Sequence, residues 1–155
     1  MAVYSIHVQI DEEYAGEVKP NLVRAAARAT LQHQSALRPN ELTIAVTGDE
    51  YLHALNKRFL EIDAPTDVLS FPSDAPNLVA AEGGFKTKPY LGDIAISFPR
   101  AQAQAEAAGQ SVEAELQMLT IHGVLHLLGH DHAEEEEKEK MWAAQEEILA
   151  GLKSP

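Results

Sequence analysis

The chain contains no cysteine, which excludes disulfides and thiolate metal ligands; any metal must be held by His, Asp or Glu. It also lacks any stretch approaching the ~20 consecutive apolar residues of a membrane span, so no membrane association is expected. Its N-terminal MAVYSIHVQIDEEY has no basic segment leading into an apolar run. No secretory signal is therefore expected, and a cytoplasmic protein is the plain reading. Basic residues are scarce: 12 Lys and Arg stand against 24 Asp and Glu, a net charge of −12. That balance argues against broad nucleic-acid binding through a basic surface, and no DNA partner is expected. Acid is missing in turn from Pro20 to Asn40, where Arg24, Arg28 and Arg38 leave room for a local basic face. The acidic clusters, Asp11, Glu12, Glu13 and Glu17 at one end and Glu134 to Glu137 at the other, read as solvated faces.

What is present is an ordinary globular composition: 155 residues, 45% hydrophobic, enough for one domain with one core. Tyr4, Ile6, Val8 and Ile10 alternate with polar residues at the period of a half-buried strand, and Leu42, Ile44 and Val46 do the same. An Ala-rich helical pattern fills about Pro20 to Ala36. Asp49 is placed to N-cap a helix carrying Leu52, Leu55 and Phe59. Val68–Phe71 and Leu91–Ser97 read as two further strands, joined by a long loop with Pro72, Pro76, Gly83, Gly84 and Pro89. Ser97 caps a helix through about Ala108, and Ser111 caps the next, Val112 to Leu128, with Gly129 at its left-handed exit. A last helix carries Met141, Trp142, Ile148 and Leu149. The expected fold is α+β: a single domain spanning 1–155, with a four-stranded mixed sheet, about five helices and a zincin-like metal-bearing central helix.

The chemistry concentrates in His122-Gly-Val-Leu-His126-Leu-Leu-Gly129-His130-Asp131-His132. Histidines four apart project from one helix face, a spacing that suits two ligands on one ion. Glycine at 129 lets the chain leave the helix sharply and bring His132 back toward the pair. Three histidine ligands, His122, His126 and His132, would leave a fourth tetrahedral position open for water, as in catalytic rather than structural zinc sites. A histidine pair also arises by chance, and His130 competes as third ligand; the glycine-plus-three spacing favours His132. Metzincin metallopeptidases share the HxxxHxxGxxH spacing but carry a general-base Glu after the first histidine. Here that position is Gly123, which disfavours ordinary peptidase chemistry.

HGVLHLLGHDH, together with Pro65–Pro72 (PTDVLSFP) and Leu91–Ser97 (LGDIAIS), closely resembles the bacterial YbeY family of metal-dependent endoribonucleases. The resemblance implies a cytoplasmic, single-strand-specific endoribonuclease. It would bind one Zn2+ ion through His122, His126 and His132, and act in small-subunit rRNA 3′-end maturation and ribosome quality control. The partners it implies are rRNA precursor in the small ribosomal subunit, and a ribosomal protein or a GTPase. The family arginine that precedes PT[DN]VLSFP falls on Leu60 here. Arg58, or Lys57, is the candidate to supply its phosphate contact. Asp131 is a candidate to orient an imidazole, or else caps the turn after Gly129. Asp93 reads as a structural hydrogen-bond acceptor, and Ser70 and Thr66 as donors to phosphate or to backbone, with backbone favoured. Two other readings stand beside the nuclease: a metallopeptidase-like hydrolase, and a non-catalytic zinc-binding ribosome-assembly factor.

Overall fold

The alternating segments pair as one four-stranded sheet in the order β1-β2-β4-β3. A computed structural model of the chain describes residues 4–36, 41–73, 90–130 and 133–153. Arg38, Pro76, Gly83, Gly84, Pro89, Asp131 and His132 lie outside the described residues. The strands are β1 (Ser5–Ile10), β2 (Glu41–Thr47), β3 (Val68–Pro72) and β4 (Tyr90–Ser97). Parallel pairing joins β1 to β2 and β2 to β4, while β3 runs antiparallel to β4, so the sheet is mixed. The helices are α1 (Pro20–His33), α2 (Asp49–Leu60), α3 (Phe98–Ala108), α4 (Val112–Leu127) and α5 (Glu135–Lys153). The α+β expectation and the order of its elements are met.

Strand alternation divides the molecule in two. Leu42, Ile44 and Val46 of β2 and Ile94 and Ile96 of β4 point to one face, into a core shared with α1, α3 and α4. Thr43, Ala45, Asp93 and Ala95 belong to the other face, which α2 covers only in part, through Leu52 against Leu69 and Ala95. The central helix α4 is apolar on nearly every side and is buried at nine of its residues, as a helix packed between a sheet and other helices must be. A second small core, Ile121 and Leu125 with Met141 and Ile148, fastens α5 to it.

The caps follow the sequence closely. Ser97 Oγ accepts from Arg100 N and Ser111 Oγ from Ala114 N, each satisfying an N–H that the helix itself leaves unpaired. Gly129 takes φ 101° at the exit of α4. Asp49 is a correction: Gly48 is the N-cap, and Asp49 sits in the first turn. Its carboxylate accepts from the Ser97 hydroxyl (3.1 Å) and from Arg100 Nε and Nη2 (3.2 and 3.1 Å). The side chain thereby ties the start of α2 to that of α3 instead of capping its own helix. Helix α1 also ends earlier than expected, at His33, because Ser35 turns left-handed (φ 53°).

Candidate functional site: a histidine cleft on the central helix

His122 and His126 lie one turn apart near the end of α4, where the helix emerges from the core beside β3. Their Nε2 atoms are 3.2 Å apart and their rings meet edge to face, with centroids 4.7 Å apart. Two imidazole nitrogens sharing a tetrahedral zinc at ~2.0–2.1 Å each would stand ~3.3 Å apart. The donor chemistry and the spacing of this pair therefore fit two ligands on one ion. Among the described residues no group of three His, Asp or Glu side chains converges, and the third ligand expected, His132, falls outside them.

The pair opens onto a cleft of about 350 Å³ whose far wall is β3 and the residues leading into it, Thr66 to Ser70. Several contacts hold that wall. Ser70 Oγ donates to the Gly123 carbonyl (3.0 Å), pinning β3 to α4. Asp67 Oδ1 accepts from Val68 N (2.7 Å) and its Oδ2 from Gln104 (3.4 Å). Thr66 is a correction to the backbone role expected of it, since its hydroxyl lies 3.5 Å from the Asp67 carboxylate. The lip is Leu60, 51% exposed, and no Lys or Arg is among the described residues lining the cleft.

Gly123, between the ligand candidates in sequence, faces the opposite way, onto the sheet. A Cβ there would come within 2.9 Å of Ile94 Cγ2 and 3.1 Å of Ile94 Cδ1. The glycine allows α4 to approach β4 closely enough to bury its apolar face. It also removes the peptidase geometry, because a side chain at this position would enter the core and not the cleft.

Two supporting residues escaped the sequence reading. Gln145 of α5, 3% exposed, places Oε1 3.3 Å from His122 Nδ1. An amide oxygen there can only accept, so it favours the tautomer in which His122 Nδ1–H donates to it and Nε2, on the cleft side, carries the lone pair a metal ligand needs. The signal was present: Gln145 lies four residues after Met141 and three before Ile148, a polar residue within the apolar stripe of α5. Gln34, at the end of α1, takes His130, its Oε1 lying 2.7 Å from His130 Nε2. His130 is thus engaged with α1, away from the cleft, and is not brought to the histidine pair. Burial also pushes its pKa down.

Arg58 is not among the residues lining the cleft; its guanidinium lies over the Phe59 ring, 5.1 Å from the centroid. Asp93 is the acceptor expected, taking a short hydrogen bond from the Tyr90 hydroxyl, which also contacts Thr43 Oγ1 at 2.7 Å. Burial and then the Asp93 contact push the Tyr90 pKa up to about 12. Arg24, from the acid-free stretch, is spent on structure: Nε donates to the Ile6 carbonyl (3.2 Å) and Nη1 to Asn21 (2.6 Å).

Fold and site together define the class: an α+β domain whose buried central helix presents a histidine pair to an open cleft beside an antiparallel edge strand. The family described as endoribonuclease YbeY matches residues 6–153, and the chain belongs to that family. It is 43% identical to an endoribonuclease YbeY of Chloroflexus aurantiacus, over 99% of this chain and 98% of that one. It is 42% identical to that of Roseiflexus castenholzii, over 94% and 91% of the two chains. A protein of Thermotoga maritima with a known solution structure shares the fold at a TM-score of 0.59 and 22% identity, over 93% of this chain and 86% of that one.

Proposed function

We propose that the protein is a zinc-dependent, single-strand-specific endoribonuclease of the cytoplasm, acting in small-subunit rRNA 3′-end maturation and ribosome quality control. The observation that carries this reading is the His122–His126 pair, Nε2 to Nε2 at 3.2 Å, at an open cleft in a chain of the endoribonuclease YbeY family. His122, His126 and His132 would hold the ion, with His132 brought in by the turn that Gly129 permits. Bound there, zinc supplies Lewis-acid activation of water and of a phosphoryl oxygen.

The chain's own residues do the holding and orienting. Gln145 keeps His122 in the tautomer a ligand needs, and the Ser70–Gly123 hydrogen bond fixes the spacing between helix and far wall. Asp131 is proposed to orient an imidazole, as ligating histidines usually require. Arg58 is proposed to reach RNA phosphate from the rim of α2, not from within the cleft; unchanged cleavage by Arg58→Ala would sink that role. The RNA is proposed to be rRNA precursor in the small subunit, with a ribosomal protein or a GTPase as partner.

The direct test is cleavage of end-labelled single-stranded RNA by zinc-loaded wild type and by folded His126→Ala. Cutting by wild type alone is the expected result. Equal cutting by both would trace the activity to a contaminant and remove its support.

A further inference from the structure

On the other side of β3 lies a larger hollow, of about 550 Å³, that the histidine chemistry does not use. Its floor is the open face of the sheet, with Thr43 and Ala45 of β2 and Asp93 and Ala95 of β4. Its wall is α2. Tyr51 and Phe59, 54% and 55% exposed, stand over the floor, and Phe71 of β3 meets Phe59 edge to face at 5.4 Å. Aromatic side chains of this size are normally buried, and here three converge on one hollow large enough for a small molecule.

The hollow is not simply apolar. The Asp93 carboxylate, held by the Tyr90 hydroxyl, stands on its floor as an acceptor. The Arg58 guanidinium lies over the Phe59 ring, and Lys57 beside it is exposed. Flat rings, an acceptor for an exocyclic amine and a cation at the rim are what a nucleotide of single-stranded RNA offers partners for: a base face, a base edge and a phosphate. The hollow also backs onto the histidine cleft, the two lying on opposite sides of β3 and of the end of α2. Leu60 borders the cleft and its neighbour Phe59 the groove; Ser70 and Pro72 border the cleft and Phe71, between them, the groove.

We propose that this aromatic groove is a subsite for one base of a single-stranded RNA whose scissile phosphodiester lies in the histidine cleft. The inference rests on the ribonuclease reading and deepens it. The base stacks against Tyr51 and Phe59, its amine edge is read by Asp93, and Arg58 meets the phosphate of the same nucleotide. Cytosine and adenine, which carry such an amine, are favoured over uracil.

The test is fluorescence anisotropy with a labelled single-stranded RNA heptamer, and with copies carrying one abasic position at each site in turn. Binding is titrated with divalent metal chelated, each probe being checked intact on a gel afterwards, and cleavage of the same heptamer is read separately with zinc-loaded protein. Tyr51 and Phe59 are exposed, so Tyr51→Ala and Phe59→Ala should keep the wild-type melting curve. Each is expected to weaken binding about ten-fold. One abasic position should weaken wild type equally and add nothing to the loss in the variants. If wild type binds and cuts while both variants bind as tightly as it does, the subsite is overturned and the ribonuclease reading stands. The subsite falls equally if every abasic probe behaves alike, or if Phe59→Ala instead changes the sedimentation coefficient, which would mark the groove as a contact between copies. If wild type neither binds nor cuts the heptamer, both readings fall together.

Discussion

Strand β3 separates two hollows built by opposite means. The histidine cleft is hung on the most buried of the described helices: α4 is flanked by α1, α3 and α5 and by the sheet, and its ligand candidates emerge at its last turns. The aromatic groove is laid on a partly covered sheet face, where α2 shields only part of the sheet and leaves Tyr51 and Phe59 in solvent. One hollow needs fixed nitrogens at a spacing set to tenths of an ångström, and a packed core supplies that. The other needs an accessible flat surface, and an open sheet face supplies that. Substitutions should therefore act differently on the two: abrupt and chemical in the cleft, graded and affinity-based in the groove.

The largest effect is expected from His126→Ala. The side chain is half-buried at the cleft, so the fold should survive while RNA cleavage falls to background and zinc stoichiometry, read by elemental analysis, drops. A variant that retains both cleavage and zinc would dissolve the distinction, because the cleft would then be no more chemical than the groove.

Gly123→Ala comes next. The added methyl meets Ile94 at 2.9 Å inside the core, and overpacking of this kind costs about 1–3 kcal/mol, visible as a lowered denaturation midpoint. If β4 yields, Ser70 loses its register on the Gly123 carbonyl and the cleft widens. Groove affinity, carried by side chains on the opposite face, should be spared. Equal loss at both hollows would show that the sheet transmits strain and that the two are not independent.

These expectations bear on how much was legible beforehand. Among the described residues, β1, β2 and α1 were readable from their hydrophobic period, β3 from a β-prone run closed by Pro72, and α3 and α4 from the serine caps at 97 and 111, whereas the 3-10 turn Glu12–Tyr14 was not foreseen. His122 and His126 were readable because helical spacing alone puts them on one face. What stayed hidden was tertiary. Asp49 has the right residue type and position for a cap, and only the approach of Arg100, far away in sequence, diverts it. His130 looks like a ligand in a histidine-rich turn until Gln34, on a helix about a hundred residues earlier, is seen to take its ring. The groove could not be foreseen at all, because its parts come from all four strands and α2, and no local pattern says which face of a sheet stays open.

A smaller effect separates ligand from orienter. Gln145→Leu removes the acceptor for His122 Nδ1 while keeping a side chain of similar size in a buried place. Zinc affinity, measured by competition with a chromophoric chelator, should fall about ten-fold, with Gln145→Glu restoring it. A merely structural role would lower the melting temperature without changing affinity, and would leave Glu no better than Leu.

The smallest effect concerns α2, which serves both hollows, with Leu60 at one lip and Phe59 at the other. Its start is held by Asp49, whose pKa is lowered mainly by its hydrogen bonds from Arg100, with the Ser97 hydroxyl adding to them against burial. A carboxyl whose folded pKa is depressed contributes stability that is complete above its unfolded pKa, ~3.9, and is lost as pH falls through the folded value below it. Both partners are more than a third exposed, so screening holds the contribution to under ~1 kcal/mol. Asp49→Asn should therefore lower stability slightly at pH 7 and converge with wild type in strong acid. Hydrogen exchange in α2 should rise at neutral pH, while exchange in α4 stays as it was. Exchange rising in both helices would show that the cleft leans on α2 as much as the groove does, and the contrast between a core-built site and a surface-built one would have to be given up.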